Sequence, residues 1–327
     1  MMPVTREEVQ IASAKLGTAK AVGADGIPSE FLTHASLGRD HTTHMHDALA
    51  CLFSAVLRTG HMPAEWKTKL VTPVFKKGDP TLPSNYRPIS VATSLYRLFA
   101  AVLARRLTTY VDDRAGHLAP SQFAFQKSLS TDHAHWILQT CIDTARAGRR
   151  PLAVIHLDIE KAYDTVMRHI LWTKLAAQGI PPDFIRMVQE VYNDCWYHIK
   201  VNGELSHGFR PDTGMQQGCP WSPWAYNEYI AQRMKEIHGK CQHMGVHLHT
   251  VHREPCTHVN FADDIIGTVY LEHLEEFVAI VKDVLTPINQ HLNMDKVKVL
   301  VVQDQPYTSP TVSSFQAVQR IKLMGLL

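Results

Sequence analysis

The sequence predicts an α+β fold: a short, mainly antiparallel sheet backed by helices, with a helical and loop-rich amino-terminal part. Three observations predict it. Leu152-Ala-Val-Ile-His-Leu-Asp158 reads as a buried strand that ends on an acid. Asn202-Gly203 stands between two strand-like runs and is the strongest short hairpin signal in the chain. His258-Val-Asn-Phe-Ala-Asp-Asp-Ile-Ile266 sets two adjacent carboxylates, Asp263 and Asp264, at the tip of an apolar hairpin.

The remaining elements follow in order. Thr5 with Glu8 forms a capping-box pattern, so residues 6–16 read as a helix. Residues 17–28 are punctuated by Gly and Pro and read as loop, and 44–58 read as a helix. Residues 69–75 look like a strand, followed by a turn at Lys76-Lys-Gly-Asp-Pro80. After Asn85-Tyr-Arg-Pro88 a helix is expected to run to about Tyr110, with Leu95, Leu98, Phe99, Val102 and Leu103 on its apolar face. Ser130-Thr-Asp132 caps a helix that should stop at Gly148. Helices are expected over 161–178, stopped by Gly179 and Pro181-Pro182, and over about 183–194. The Asn202-Gly203 turn is flanked by Trp196–Val201 and Glu204–Phe209, and residues 222–238 look helical. Strand-like residues 246–251 and 256–262 flank a turn near Arg253-Glu-Pro255. A helix over 272–291 should kink at Pro287, and Val297–Val302 is the last strand.

With 327 residues, the chain is long enough for one large domain or two ordinary ones. It is 45% hydrophobic and 20% charged, an ordinary globular profile. No apolar run approaches the ~20 residues that span a bilayer. The polar, acidic start does not fit a secretory signal. Six irregularly spaced cysteines do not suggest a disulfide scaffold, so an intracellular compartment is expected, nucleus and cytoplasm not being distinguished. Net charge is only +2, but residues 58–106 hold nine Lys or Arg against two acids, Glu65 and Asp79. A polyanion-binding patch and a well-solvated surface both accommodate that block.

Two carboxylates between apolar strands need a compensating metal ion, a basic partner or an exposed turn. A lone Asp is most often a turn residue or helix cap. If the strands carrying Asp158 and Asp263-Asp264 are neighbours in one sheet, three carboxylates converge and favour divalent metal. Oxygen-only ligands select Mg²⁺ or Mn²⁺ over Zn²⁺. Two such ions, typically ~3.5–4 Å apart, suit in-line phosphoryl displacement.

The order of motifs carries a resemblance. Lys20-Ala-Val-Gly-Ala-Asp-Gly-Ile-Pro-Ser-Glu30 is similar to a KxxGxDGIPxE element. Pro63-x-x-Trp66, Val74-Phe-Lys-Lys-Gly-Asp79 and Asn85-Tyr-Arg-Pro-Ile-Ser90 follow, then Gln122-Phe-Ala-Phe-Gln126 with Ser130-Thr-Asp132. His156-Leu-Asp-Ile-Glu-Lys-Ala-Tyr-Asp164, Gly214-Met-Gln-Gln-Gly-Cys-Pro-Trp-Ser-Pro223 and Phe261-Ala-Asp-Asp264 complete the series. Together they resemble the reverse transcriptases of non-LTR (LINE-type) retrotransposons, and more distantly those of group II introns. Any one box is weak; the ordered set, over about 20–325, is specific.

The resemblance implies an RNA-directed DNA polymerase with a right-hand fold. Residues 1–62 would be an amino-terminal extension and fingers, 63–150 fingers and 151–327 palm, with the thumb absent or truncated. It implies two Mg²⁺ or Mn²⁺ ions on Asp158, Asp263, Asp264 and the backbone carbonyl of Ile159. Tyr163 matches the bulky residue under the sugar, where a ring would collide with a 2′-hydroxyl and favour dNTP. Gln217 and Gly218 match the pair lining nucleotide and template. Arg87 and Lys76, with Lys77, fall in the basic block and would hold triphosphate and template backbone. Lys298 matches a late lysine near the leaving pyrophosphate. The implied partners are RNA template, DNA primer and dNTP, with no membrane and no obligate protein partner.

Some residues depart from the pattern. Trp221 and Trp224 stand where Leu-like or small residues are usual, Ala124 where Gly is, Gln126 where Arg is, and Val22 where Pro or Ser is. Asp295 and Val299 flank the late lysine where Asn and Thr or Ser are usual. None of these removes an implied metal ligand. Cys241-x-His243 and Cys256-x-His258, with His247, His249 and His252 nearby, do not have usual zinc spacing and read as hairpin residues, and His41, His44 and His46 as surface positions. Ile321-Lys-Leu-Met-Gly325 resembles the primer-grip region that ends the palm, so a fragment without thumb or endonuclease is expected. A catalytically silent nucleic-acid-binding remnant is the alternative function. An RNA-templated RNA polymerase would share the carboxylates, but the Ala-Asp-Asp box and Tyr163 argue against it.

Overall fold

Cap and turn chemistry fixes many element boundaries in the structure, a computed structural model that describes residues 2–34, 44–112, 118–248, 254–305 and 307–319. In chain order the elements are α1 (Arg6–Ala14), α2 (Ser29–Thr33), α3 (His44–Thr59), β1 (Thr68–Phe75), β2 (Tyr86–Val91), α4 (Ser94–Asp112), α5 (Thr131–Ala147), β3 (Leu152–Asp158), α6 (Arg168–Ala177), α7 (Pro182–Glu190), β4 (Trp196–Val201), β5 (Glu204–Leu205), α8 (Ser222–Cys241), β6 (His258–Phe261), β7 (Asp264–Tyr270), α9 (Leu274–Leu285), β8 (Lys298–Val302), β9 (Thr311–Val312) and β10 (Phe315–Ala317). They divide between two compact units, Met1–Ala115 with Leu171–Trp224, and Gly116–Ile170 with Ala225–Leu327.

In the first unit a four-stranded sheet runs β2-β1-β4-β5. The β1–β2 pair is antiparallel and the β1–β4 pair parallel. The β4–β5 hairpin turns on Asn202 and Gly203, with φ of 51° and 88°, the double left-handed geometry that the Asn-Gly pair signals. Thr5 and Glu8 complete the expected capping box on α1, and Glu8 also binds the Arg106 guanidinium at 2.6 Å. Phe53, Trp66 and Phe99, all buried, meet with ring centroids 5.2–5.9 Å apart.

Lys69 is fully buried in this unit. Its Nζ donates to the Trp66 carbonyl at 2.6 Å and lies 3.5 Å from the centre of the Tyr96 ring. These partners compensate the ammonium only partly. Burial lowers its pKa from 10.5 to about 8, against a smaller upward pull from Cys195 and Cys219.

The second unit is built on a six-stranded sheet, β6-β7-β3-β8-β10-β9, antiparallel except for β8–β10. Side chains alternate between its faces. Leu152 and Val154 share one face with Ile266 and Val302, and this end packs under Leu138, Cys141 and Ala145 of α5. Ser130 caps α5 by accepting from Asp132 N–H, and Gly148 follows its last turn. The other face carries Ala153, Ile155 and Leu157, all fully buried. There Gly267 of β7 admits the buried Phe277 ring of α9; any Cβ at 267 would collide with that ring.

The structure corrects several expectations. Among the described residues there are two sheets, not one, and each contains a parallel pair. Tyr86–Val91 is a strand, and the helix behind it starts only at Ser94; Pro88 is tolerated because β2 is an edge strand. The helix expected from 161 starts at Arg168, because Lys161 turns left-handed (φ 46°) and its carbonyl accepts from Asp164 and Thr165 N–H. Pro287 ends a helix rather than kinking it: α9 stops at Leu285 and a single tight turn leads to left-handed Asn289 (φ 54°). The second strand of the Asn202-Gly203 hairpin shortens to Glu204–Leu205, with Phe209 bonding Tyr197 separately. Pairing between 246–251 and 256–262 reduces, among the described residues, to Val246 with Cys256. His41, His249, His252 and Ile321–Gly325 lie outside the described residues.

Lys69 gives this fold a pH signature. Between about 8 and 10.5 the unfolded chain holds a proton on Lys69 that the folded chain has released, so folded stability rises with pH across that window. Below about 8 the full burial penalty applies, of order 3 kcal/mol. Lys69→Met is therefore expected to gain most over the parent at pH 7, and the gain should shrink as pH rises to 10.5. Urea midpoints of parent and variant at pH 7, 8, 9 and 10 test this; a difference that does not vary with pH would refute it.

Candidate active site

The strands carrying the sequence-singled aspartates are neighbours. Asp158, the last residue of β3, pairs directly with Asp264, the first residue of β7. Asp263 sits between β6 and β7 in a two-residue turn, Ala262-Asp263, closed by the Phe261–Asp264 pair. The even-numbered face of β3 is buried at Leu152 and Val154, then becomes partly open at His156 and Asp158. The carboxylates thus stand at the end of a face whose other end is covered by α5. Apolar burial holds the strands, and the end beyond α5 is partly open to solvent.

Two basic groups meet these carboxylates. Lys296 Nζ lies 2.8 Å from Asp158 Oδ2, and His156 Nε2 lies 3.3 Å from Asp264 Oδ1. His156 and Asp158 are two residues apart on one strand and so share the face. Lys298 opens β8 opposite His156, on the same face and exposed. Of the two lysines in Met294-Asp-Lys-Val-Lys298, the one that touches a carboxylate is Lys296, which the sequence reading passed over.

Tyr163 lies in the turns between β3 and α6, half-buried. Its ring stacks on Tyr226 of α8 at 5.0 Å and 12°. The Tyr226 hydroxyl is 3.0 Å from Gln290 Oε1, and Gln290 Nε2 donates to Thr165 Oγ1 at 2.9 Å. Burial raises the Tyr163 phenol far above its ordinary value, and the negative charge of Asp263 adds to the rise. Burial, then Asp263, does the same to Tyr226. Both phenols stay protonated at any physiological pH. Tyr226 escaped the sequence reading because nothing local distinguishes it from another helical core aromatic.

Beyond Asp158 the chain continues into a bridge between Ile159 and Leu292. Its two backbone bonds run from Asn293 N–H to Asp158 O and from Glu160 N–H to His291 O, each 2.8 Å. The Ile159 carbonyl takes no part in them. The three carboxylates and this carbonyl are all oxygen donors, the kind that suits a hard divalent cation. Among the described residues, the one trio of metal-ligating side chains with donor atoms all within 4.8 Å of one another is elsewhere, His243, His273 and Glu276, an ion-paired group in which His243 and Glu276 are exposed and His273 is partly buried. In this conformation Asp158 and Asp264 turn to Lys296 and His156 instead.

The other sequence-singled residues belong to the first unit. Arg87 is exposed on β2 opposite Val74, and Lys76 is exposed at the start of the β1–β2 connection. The Gln217 carbonyl accepts from Ser90 N–H at 3.2 Å, and Gly218 has φ 100° with its missing Cβ only 3.1 Å from Ser90 O. Close approach of protein backbone therefore already demands glycine at 218. Among the described residues, Cys241 with His243 and Cys256 with His258 form no metal-ligating cluster. His258 is buried, bonded to Ser121 and Thr257, and its pKa is lowered to about 3 by burial and then by His238.

Fold and site define a mixed helix-and-sheet protein with an acidic, oxygen-donor sheet end. Residues 74–326 match the family described as reverse transcriptase (RNA-dependent DNA polymerase), and the chain belongs to that family. It is 29% identical over 265 residues, 81% of this chain and 34% of the relative, to a retrovirus-related Pol polyprotein from type-1 retrotransposable element R2 of Popillia japonica. It is 23% identical over 319 residues, 95% of this chain and 28% of the relative, to the Pol polyprotein from type-2 retrotransposable element R2DM of Drosophila melanogaster. Over 230 residues, 70% of this chain and 24% of the relative, it is 28% identical to the RNA-directed DNA polymerase from mobile element jockey of the same species. The chain thus carries a reverse transcriptase domain homologous to those of non-LTR retrotransposons and spans about a quarter to a third of these relatives. Among the described residues no helix is long and apolar enough to cross a membrane.

The Lys296–Asp158 pair must yield if Asp158 is to bind a cation. With side chains 61% and 29% exposed, such a pair is worth only about 0.2–1 kcal/mol. Lys296→Ala is expected to tighten Mn²⁺ binding by about two- to five-fold at low salt. Mn²⁺ titration followed by electron paramagnetic resonance checks it; unchanged or weaker binding would show that Lys296 does not compete.

Proposed function

We propose that this chain catalyses template-directed transfer of dNTP to a primer 3′-hydroxyl, copying RNA into DNA. The supporting observation is the Asp158–Asp264 strand pair with Asp263 in the adjoining turn, at the open end of a sheet face in a reverse transcriptase family member. In this reading residues 1–62 are an amino-terminal extension and fingers, 63–150 fingers and 151–327 palm. Asp158, Asp263, Asp264 and the Ile159 carbonyl would hold two Mg²⁺ or Mn²⁺ ions. Bound there, the ions would lower the pKa of the attacking hydroxyl and offset charge on the leaving pyrophosphate.

The chain's own groups supply the rest. Tyr163 is the sugar gate: stacked on Tyr226 and uncharged, it presents a stiff ring that a 2′-hydroxyl would strike. Lys298, exposed on the carboxylate face, is assigned to the pyrophosphate. In the first unit, Arg87 and Lys76 are assigned to phosphate contacts with nucleotide and template, and Gln217 and Gly218 to nucleotide and template contacts. The partners are RNA template, DNA primer and dNTP. All six cysteines are free thiols, in keeping with an intracellular, reducing compartment. The complete carboxylate set does not favour a silent remnant.

Primer extension on a homopolymer RNA template with Mg²⁺ or Mn²⁺ tests the proposal. Asp263→Asn is expected to lower incorporation by at least about a hundred-fold. Undiminished incorporation in that variant would sink the mechanism. Tyr163→Ala should reduce discrimination of dNTP over rNTP by roughly ten-fold or more; unchanged sugar selectivity would remove the gate.

A further inference from the structure

The turn that presents Asp263 and Asp264 contains an anomaly. Ala262 has φ 59°, a left-handed conformation that strains an L side chain and that Gly or Asn normally fills in two-residue turns. Something outside the turn must hold it. Ala262 is 8% exposed, and the group packed against its peptide is the side chain of Gln122, itself 2% exposed.

The segment around Gln122 runs parallel beside β6, with Gln122 opposite Asn260. Asn260 N–H donates to Ser121 O at 2.7 Å, and Phe123 N–H donates to Asn260 O at 2.9 Å. This places the Gln122 carboxamide against the end of the strand. Its Oε1 accepts from Ala262 N–H at 3.1 Å and from Ala124 N–H at 3.1 Å. Its Nε2 donates to the Ala262 carbonyl at 3.4 Å. One neutral side chain therefore engages both backbone groups of the residue immediately before Asp263. A carboxamide does this without charge, offering acceptor and donor from one planar group. Its support is anchored in turn: Gln126 Nε2 donates to Gln122 O, and Asn227 Nδ2 donates to Ala124 O at 2.7 Å.

We propose that Gln122 is a positioning residue, whose carboxamide holds Ala262 left-handed and so sets the directions in which the Asp263 and Asp264 carboxylates project. The catalytic consequence rests on the proposed polymerase function; the conformational one does not. Gln122→Met keeps most of the volume and removes both kinds of bond. Gln122→Glu keeps an acceptor but loses the donor. Adding Ala262→Gly lowers the cost of the left-handed turn, because glycine adopts that φ freely.

The experiment measures primer extension, Mn²⁺ half-saturation and amide exchange at Ala262 in the full chain. Gln122→Met is expected to lower kcat and weaken Mn²⁺ dependence by about 10- to 100-fold, with the KM for dNTP changed far less. Gln122→Glu should fall between it and the parent. The Gln122→Met/Ala262→Gly double variant should recover about ten-fold of the loss in kcat. Unchanged kcat and metal dependence in Gln122→Met, or a loss that the glycine does not recover, would overturn the proposal. Should the parent chain not incorporate dNTP at all, the polymerase reading falls, but amide exchange still decides. Protection at Ala262 is expected to drop by about ten-fold or more in Gln122→Met, or measurably in Gln122→Glu if the Met variant does not fold. Unchanged protection would overturn the clamp.

Discussion

The register of β3 against β7 is the constraint on which the site depends. Side chains alternate along a strand, so a slip of one residue would move Asp158 to the opposite face and separate it from Asp264. Both faces oppose that slip. On one, Leu152, Val154 and Ile266 fill the space beneath α5. On the other, Phe277 of α9 occupies the gap at Gly267, three residues along from Asp264. A shift by one would bring Ile266 or Thr268 against that ring. The apolar half of the sheet thus stabilises the fold and also aims the acids that sit beyond it.

Each unit handles an awkward charge differently. In the second, the carboxylates stand where the covering helix no longer buries the face, and Lys296 and His156 offset them from the rim. Those contacts are weak and exchangeable, which suits a site that must accept a ligand. In the first, Lys69 is buried against a carbonyl and a tyrosine ring with no acid partner among the described residues, so its proton is held loosely. The carboxylate arrangement keeps charge available; that of Lys69 makes it costly.

Much of the site was legible because it is encoded locally. Leu152–Asp158 announces a buried strand by composition, Thr5 and Glu8 announce a cap, and Asn202-Gly203 a turn; all three stand as read. What could not be read depends on partners distant in sequence. Tyr86–Val91 becomes a strand because β1 offers it an edge. Residues 160–165 leave the helix because their loop is tied to Asn289 and Gln290, over a hundred positions away. Lys296 rather than Lys298 reaches Asp158 because the 3₁₀ turn at Met294–Lys296 swings it there, while the strand carries Lys298 along the face. Tyr226 supports Tyr163 only once α8 packs beneath the turn.

The departures from the family pattern follow the same logic of packing. Trp221, where a Leu-like residue is usual, is fully buried, with its ring 6.3 Å from Trp172 and 5.9 Å from Tyr192. A residue of that size is accommodated in a core only when its neighbours are shaped around it. Ala124, in place of glycine, is likewise fully buried, its carbonyl bound by Asn227 and its N–H by Gln122. Its methyl group is accommodated within the support that carries the carboxylate turn. The Trp221 ring thus has aromatic neighbours, although the buried Nε1 of Trp221 and that of Trp224 have no hydrogen-bond partner among the described residues.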